Sequence, residues 1–213
     1  MSAPRIRRVR WYRPLVLASS SPRRRELLER VGVPLEVQPV RLEESFRRGE
    51  SARRGVLRLA HEKAAAVARQ RPHRVVLAAD TIVLVDGLLL GKPRDERQAR
   101  AMLRRLSDRW HQVLTGVVLV DADGTPREAV SRTRVRFAAL GAKEIRRYVA
   151  SGEPFDKAGG YALQGAASWF VLQVHGSVTN VIGLPLECVR ELFADARLPI
   201  PSFAGDASSR DAR

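Results

Sequence analysis

The chain has 213 residues, 45% of them hydrophobic, and a formal net charge of +15. That length supports one large domain or two small lobes around a shared cleft. No apolar run approaches the roughly 20 residues of a membrane span, and one cysteine, Cys188, excludes an internal disulfide framework and fits a reducing cytoplasm.

Residues 1–13 read as a loose basic extension without the apolar stretch of a signal peptide. Leu15–Ala18 is a short strand. It stops at Ser19-Ser20-Ser21, and Pro22 opens a helix to Val31 that carries Arg23, Arg24 and Arg25 in its first turn. Ser21 suits the N-cap. Leu35–Val40 is extended, and Glu43 and Glu44 follow in a loop. Ser51 caps a helix to about Gln70, with Val56, Leu59, Ala60 and Val67 as its apolar stripe. Val75–Val85 is a near-continuous apolar strand, the pattern of a strand covered on both faces. Asp86-Gly87 turns it into Leu88–Leu90. Asp95 caps a helix to Leu106. Trp110–Val120 and Val130–Ala138 are strands joined across Asp121-Ala-Asp-Gly. Ala142–Ala150 is a helix, Trp169–Val174 a strand and Leu184–Ala194 the last helix. Pro201–Arg213 reads as disordered. Alternating strands and helices give an α/β protein, and the hairpins make its sheet mixed. The division is a basic extension over 1–13, one two-lobed domain over 14–197 and a flexible tail over 198–213.

The charge invites a nucleic-acid reading. Against it, the cations are spread along the chain, with no basic block interleaved with aromatics. Only four of the 38 cations are lysines, namely Lys63, Lys92, Lys143 and Lys157. Such dominance of arginine looks like coding bias, and a nucleotide would welcome the positive charge equally. A lysine that persists against that bias marks a place that needs a compact ammonium. The single asparagine, Asn180, stands out in the same way.

The turn Ser19–Arg24 joins hydroxyls, a helix N-terminus and cations, which is a phosphate grip by geometry; the plain reading is a capped surface helix with solvated arginines. It lacks the glycines and Gly-Lys-Ser/Thr of a Walker loop. Asp80 interrupts an apolar strand, which is costly without a cation, a metal or donors. It reads either as a satisfied structural carboxylate or as a general base or metal ligand at a cleft edge. Lys63 lies near an inward helix face, and Lys92, between Gly91 and Pro93, follows a hairpin strand. The segment Asp156-Lys-Ala-Gly-Gly-Tyr-Ala-Leu-Gln-Gly is glycine-rich, and the Gln164 amide can both donate to and accept from a base edge. No zinc spacing or serine triad occurs. Carboxylates, lysines, arginines and hydroxyls suit a hard divalent metal and phosphate chemistry.

Taken in order, Ala18-Ser-Ser-Ser-Pro-Arg-Arg, Glu43-Glu44, Glu62-Lys-Ala, Ala79-Asp-Thr, Lys92-Pro-Arg, His111-Gln-Val-Leu-Thr-Gly, Asp156-Lys-Ala-Gly-Gly-Tyr-Ala-Leu-Gln-Gly and Asn180-Val-Ile-Gly-Leu-Pro-Leu resemble the Maf family of nucleotide pyrophosphatases over Leu15 to Phe193. The resemblance implies an elongated mixed sheet flanked by helices, with two lobes around a central cleft, as in Maf-like and ITPase-like proteins. It implies hydrolysis of a nucleoside triphosphate to the monophosphate and pyrophosphate with Mg²⁺ or Mn²⁺, and the Lys157–Gly165 form resembles the branch acting on dTTP and UTP. By the same resemblance Asp80 is the proton acceptor and Glu44 matches a cleft residue; the residues themselves suggest Glu44, with Asp80, as the carboxylates for the metal. Arg23, Thr81 and Gln164 match positions tied to substrate choice; Ser19, Arg24, Lys63 and Lys92 match other substrate-binding positions. Ser20 replaces a frequent glycine, and Gly91 a frequent acidic residue. Two other readings stay open: the same chemistry on 7-methyl-GTP or another base, or a regulator of cell division or septum formation that acts by binding. A homodimer is compatible with the sequence, though no residue pattern proves it.

Overall fold

The computed structural model describes residues 6–7 and 13–203. Its main sheet has seven strands, in the order β3-β2-β4-β6-β7-β8 with β5 beside β4. They are β2 (Leu15–Leu17), β3 (Leu35–Val37), β4 (Val76–Val85), β5 (Leu88–Leu90), β6 (Trp110–Val120), β7 (Pro126–Phe137) and β8 (Val171–His175). A separate antiparallel pair joins β1 (Ile6–Arg7) to β9 (Ser202–Phe203). The helices are α1 (Pro22–Arg30), α2 (Ala52–Gln70), α3 (Glu96–Leu106), α4 (Ala142–Ala150), α5 (Val178–Ile182) and α6 (Leu186–Asp195). The sheet is mixed, as expected: β2 runs parallel to β3 and β4, and the other pairings are antiparallel. Most of the loose extension and all of the tail beyond Phe203 lie outside the described residues. No helix among those described is long and apolar enough to cross a membrane.

Four boundaries differ from the sequence reading by two residues or more, the first being β3, which ends at Val37 rather than Val40. Strand β7 begins at Pro126 rather than Val130, because it pairs with β6 along its whole length, from Val120↔Pro126 to Trp110↔Arg136. Trp169 and Phe170 belong to a 3-10 turn (Ala166–Phe170) that precedes β8. The short helix α5 precedes α6, which starts at Leu186 rather than Leu184; five residues carry too little periodicity to announce a helix.

Two packing centres occupy opposite ends of the sheet. One gathers Leu15, Leu17, Leu28, Leu77, Leu119 and Phe193 under α1 and α6. The other gathers Val83, Val113, Phe137, Leu103, Tyr148 and Phe170 with α3 and α4. The opposite face of the first end is closed by α2, through Ala60, Ala64 and Val67 against Val76, Ala78 and Val118.

The cleft follows from the pairing of β4. On one side β4 runs unbroken against β6, from Val76↔Val120 to Leu84↔Gln112. On the other side it meets β2 at Val76 and Leu77, then β5 only from Val83. Among the described residues no strand meets Ala78 to Ile82 on that side, so the sheet splits there. Asp80 and Thr81 sit at the middle of the split. Because side chains alternate along a strand, Asp80 faces α2 with Ala78 and Ile82, and Thr81 faces the other way with Ala79 and Val83.

Candidate active site

Helix α2 presents a strip of buried residues at Val56, Leu59, Ala60, Lys63, Ala64 and Val67. Lys63 stands inside that strip at 5% exposure and faces Asp80, itself 6% exposed. Their Nζ–Oδ1 distance is 2.6 Å. The helix reaches this close because Gly116 is the cross-strand neighbour of Asp80. A Cβ on Gly116 would stand 2.7 Å from the Val56 carbonyl group, so any larger residue would push α2, and Lys63 with it, off the sheet.

Glu44 completes the cluster from the loop before α2. Its Oε1 lies 2.6 Å from Lys63 Nζ, and its Oε2 lies 3.5 Å from Lys92 Nζ. Arg58 on α2 holds that loop by gripping both Glu50 carboxylate oxygens and the Ser45 carbonyl. The ring of Phe46 fills the notch left by Gly55, where a Cβ would come within 2.0 Å of it. No hydrogen bond or ion pair of Glu43 is found among the described residues, so only the second of the paired glutamates enters the cluster.

The two carboxylates are pushed in opposite directions. Burial raises the pKa of Asp80 above the free value, and Lys63 and Arg24 only partly offset it. For Glu44 burial also acts upward, but Lys63, Lys92 and Arg24 outweigh it and leave the net shift downward. Oppositely displaced carboxyls in one cleft separate a proton acceptor from a group that stays ionised.

On the other side of β4, Arg24 fills the split edge. Its Nη1 donates to the Ala79 carbonyl (2.8 Å), which has no strand partner there, and to Ser19 Oγ (3.0 Å). Its Nε donates to the Gly183 carbonyl (2.8 Å) and its Nη2 to Thr81 Oγ1 (3.1 Å). Four of the five guanidinium N–H groups are thereby taken, and one on Nη2 has no partner among the described residues. Withdrawal from water lowers the Arg24 pKa, against the pull of Asp80 and Glu44. The Ser21 hydroxyl forms no cap bond, contrary to the sequence reading. The Ser21 N–H instead donates to Ser19 Oγ at 3.2 Å, and the first-turn amides of α1 keep the open donors of a helix start.

Arg23 crosses the cleft to the opposite lobe, donating to Asp156 Oδ2 at 2.7 Å and to the Asp156 carbonyl at 3.2 Å. Lys157 also pairs with the Asp156 carboxylate. The segment that follows rests on aromatics. Tyr161 stacks edge-on against His111 and Phe137, and its hydroxyl lies 2.7 Å from His111 Nε2. Burial holds His111 neutral, with its pKa lowered to about 4. Beyond Tyr161, Gln164 is exposed and no hydrogen bond engages it among the described residues.

All nine residues singled out from the sequence line this one cleft: Ser19, Arg23, Arg24, Glu44, Lys63, Asp80, Thr81, Lys92 and Gln164. The cleft is open to solvent at its mouth. Asp156, Tyr161 and the Ile182-Gly183 turn also line it. Of these, only Asp156 and Tyr161 fell in a segment the glycine pattern had marked. Cys188 is buried in α6, away from this lining. Among the described residues no three His, Cys, Asp or Glu side chains cluster closely enough to cage a metal.

A split mixed sheet with paired carboxylates and a cationic helix start defines a cleft for a phosphorylated ligand. The fold matches that of the Staphylococcus aureus Ham1 protein, at 14% identity and a TM-score of 0.51, over 87% of this chain and all of that one. The family model described as Maf-like protein matches residues 14–196, and the chain belongs to the Maf family. It is 54% identical over 191 residues to a dTTP/UTP pyrophosphatase of Anaeromyxobacter sp., covering 88% of this chain and 91% of that protein. It is 50% identical to the Myxococcus xanthus protein of the same name (88% and 94% covered) and 46% identical to that of Syntrophus aciditrophicus (92% and 95% covered).

Proposed function

We propose that this chain hydrolyses nucleoside triphosphates, dTTP and UTP foremost, to the monophosphate and pyrophosphate in the cytoplasm. The observation that carries the reading is the Lys63 ammonium held between Asp80 and Glu44, at 2.6 Å from each, across the split strand from Arg24. The half-identical relatives named dTTP/UTP pyrophosphatase supply the substrate class.

Ser19, the amides opening α1 and the remaining Arg24 donor hold phosphate oxygens, and Lys63 and Lys92 neutralise their charge. Asp80, its affinity for protons raised by burial, takes the proton of a water that attacks the α-phosphorus, and pyrophosphate leaves. Positioning and charge neutralisation then supply most of the acceleration. Gln164, free at the other end, reads the pyrimidine edge. Thr81, whose hydroxyl already holds Arg24, acts on selectivity through that arginine, and Arg23 acts through Asp156. Two carboxylates with hard oxygens fit the habit of Mg²⁺ or Mn²⁺, which takes one or two protein carboxylates and completes its shell with phosphate oxygens and water. Glu44, with Asp80, would hold such an ion, and it would supply further neutralisation of the phosphate charge.

Pyrophosphate release from dTTP, UTP, CTP, ATP, GTP and 7-methyl-GTP, with Mg²⁺, Mn²⁺ or EDTA, tests the reading. Metal-dependent release strongest with dTTP and UTP is expected. Preference for 7-methyl-GTP would overturn the substrate assignment, and silence on every nucleotide from folded protein would overturn the activity.

A further inference from the structure

The single asparagine of the chain has no part in the chemistry above, yet it is wholly buried. Asn180 lies in α5 and its Nδ2 donates to two groups on facing strands: the Val113 carbonyl on β6 (3.0 Å) and Thr133 Oγ1 on β7 (2.9 Å). Val113 and Thr133 are themselves register partners, so one amide bridges a rung of the sheet. The Asn180 Oδ1 is buried with no partner among the described residues, which means the position tolerates an unsatisfied acceptor to keep the two donors.

A five-residue helix has little stability of its own, and this staple fixes α5 on the sheet. The chain leaves α5 through Gly183 at φ +121°, a conformation open to glycine. The Gly183 N–H is held by the Asn180 carbonyl at 2.9 Å. That turn aims the Gly183 carbonyl into the cleft, where it accepts from Arg24 Nε at 2.8 Å. Thr133 is likewise fully buried and ties Ser177, the N-cap of α5, from the same oxygen.

We infer that Asn180 is a positioning residue for the phosphate end of the cleft: by stapling α5 to the Val113–Thr133 rung it fixes the Gly183 carbonyl that orients Arg24. The inference rests on the proposed function for its kinetic consequence but not for its structural one. Asn180→Ala releases the turn, and Asn180→Asp has the same effect, since it keeps the shape and loses both donors. Thr133→Val loosens the staple partly, and Thr133→Ser, which keeps the hydroxyl, restores it.

The test reads two quantities in wild type and these four variants. The first is hydrogen exchange at the Arg24 Nε–H, assigned with Arg24→Lys. The second is the KM for dTTP together with the dissociation constant of pyrophosphate alone. Exchange is expected to quicken about tenfold in Asn180→Ala and Asn180→Asp, the scale of one net hydrogen bond, less in Thr133→Val and not at all in Thr133→Ser. The KM and the pyrophosphate constant should rise together by a similar factor. Unaltered Arg24 exchange in folded Asn180→Ala, or in Thr133→Val should the first fail to fold, would overturn the inference. A wild type silent on all nucleotides would instead overturn the proposed activity, and the exchange data would still decide the role of Asn180.

Discussion

The two ends of the cleft are built on opposite plans. At the end formed by the α1 turn, α2 and the middle of β4, nearly every polar group is already engaged by protein: Arg24 by four acceptors, Lys63 by two carboxylates, Ser19 by Arg24 and an amide. At the end formed by residues 158–165 the anchor is a cluster of aromatic edges around Tyr161, and Gln164, which faces the space, is exposed and engaged by no hydrogen bond among the described residues. A preorganised charged end suits chemistry that needs fixed electrostatics. A free amide on an apolar anchor suits recognition, where the partner arrives with the ligand.

That contrast breaks most sharply at Asp80. Asp80→Asn should cut turnover by about 10²–10⁴-fold, the usual cost of losing a placed base, with little change in fold. In wild type the raised pKa of Asp80 sets the sign of the pH dependence: activity falls as pH drops through that pKa, and this acid limb should vanish from whatever rate Asp80→Asn retains. A wild-type profile flat toward acid would detach Asp80 from proton transfer.

The next effect is on stability. Lys63→Met removes the partner of a buried carboxylate, and breaking such a pair costs about 3–5 kcal/mol. Asp80 would be expected to take up a proton more readily, so denaturant unfolding of this variant should show a smaller loss at low pH than at neutral pH. Equal losses at both would mean that the charge of Asp80 is not what Lys63 compensates.

At the recognition end the sharpest handle is His111. Its pKa is about 4 when folded against 6.5 when free, so between those values the unfolded chain binds the proton and the folded one does not. Stability should therefore be complete above about pH 6.5 and decline by about 3 kcal/mol as pH falls to about 4, since one proton bound only by the unfolded chain costs about 1.36 kcal/mol for each pH step of one. His111→Gln should flatten that slope, as seen by urea unfolding across the range; an unchanged slope would place the titration elsewhere.

The smallest effect is expected at Gln164. An exposed amide contributes about 0.5–1.5 kcal/mol per hydrogen bond, so Gln164→Ala should narrow the preference for dTTP and UTP over CTP by up to about tenfold while leaving kcat near wild type. A large fall in kcat with the preference intact would move Gln164 from recognition to chemistry.

The same contrast explains what the sequence made visible. The charged end was readable one residue at a time: Asp80 violates an apolar strand, Lys63 persists against an arginine bias beside an apolar stripe, and the serine turn stands at a strand-to-helix junction. Each is a local anomaly, and local anomalies survive without tertiary information. The supports were not readable, because they depend on register. That Gly116 on β6 stands beside Asp80 on β4, and that Asn180 spans Val113 and Thr133, follow only once β6 is paired with β4 and β7. The N-terminal part of β7 was hidden by Pro126 and its charged neighbours, which resemble a turn until β6 is there to pair with them. Ser21 stands at the N-cap, as its residue type suggested, but its hydroxyl takes up no helix amide.

Hydrolysis of dTTP in water labelled with heavy oxygen tests the central claim most directly, because it reports which phosphorus the water reaches. Attack at the α-phosphorus puts the label in the monophosphate and none in the pyrophosphate, with Asp80→Asn slowing its appearance without moving it. Label in the pyrophosphate would place the attack at the β-phosphorus and refute the proposed mechanism.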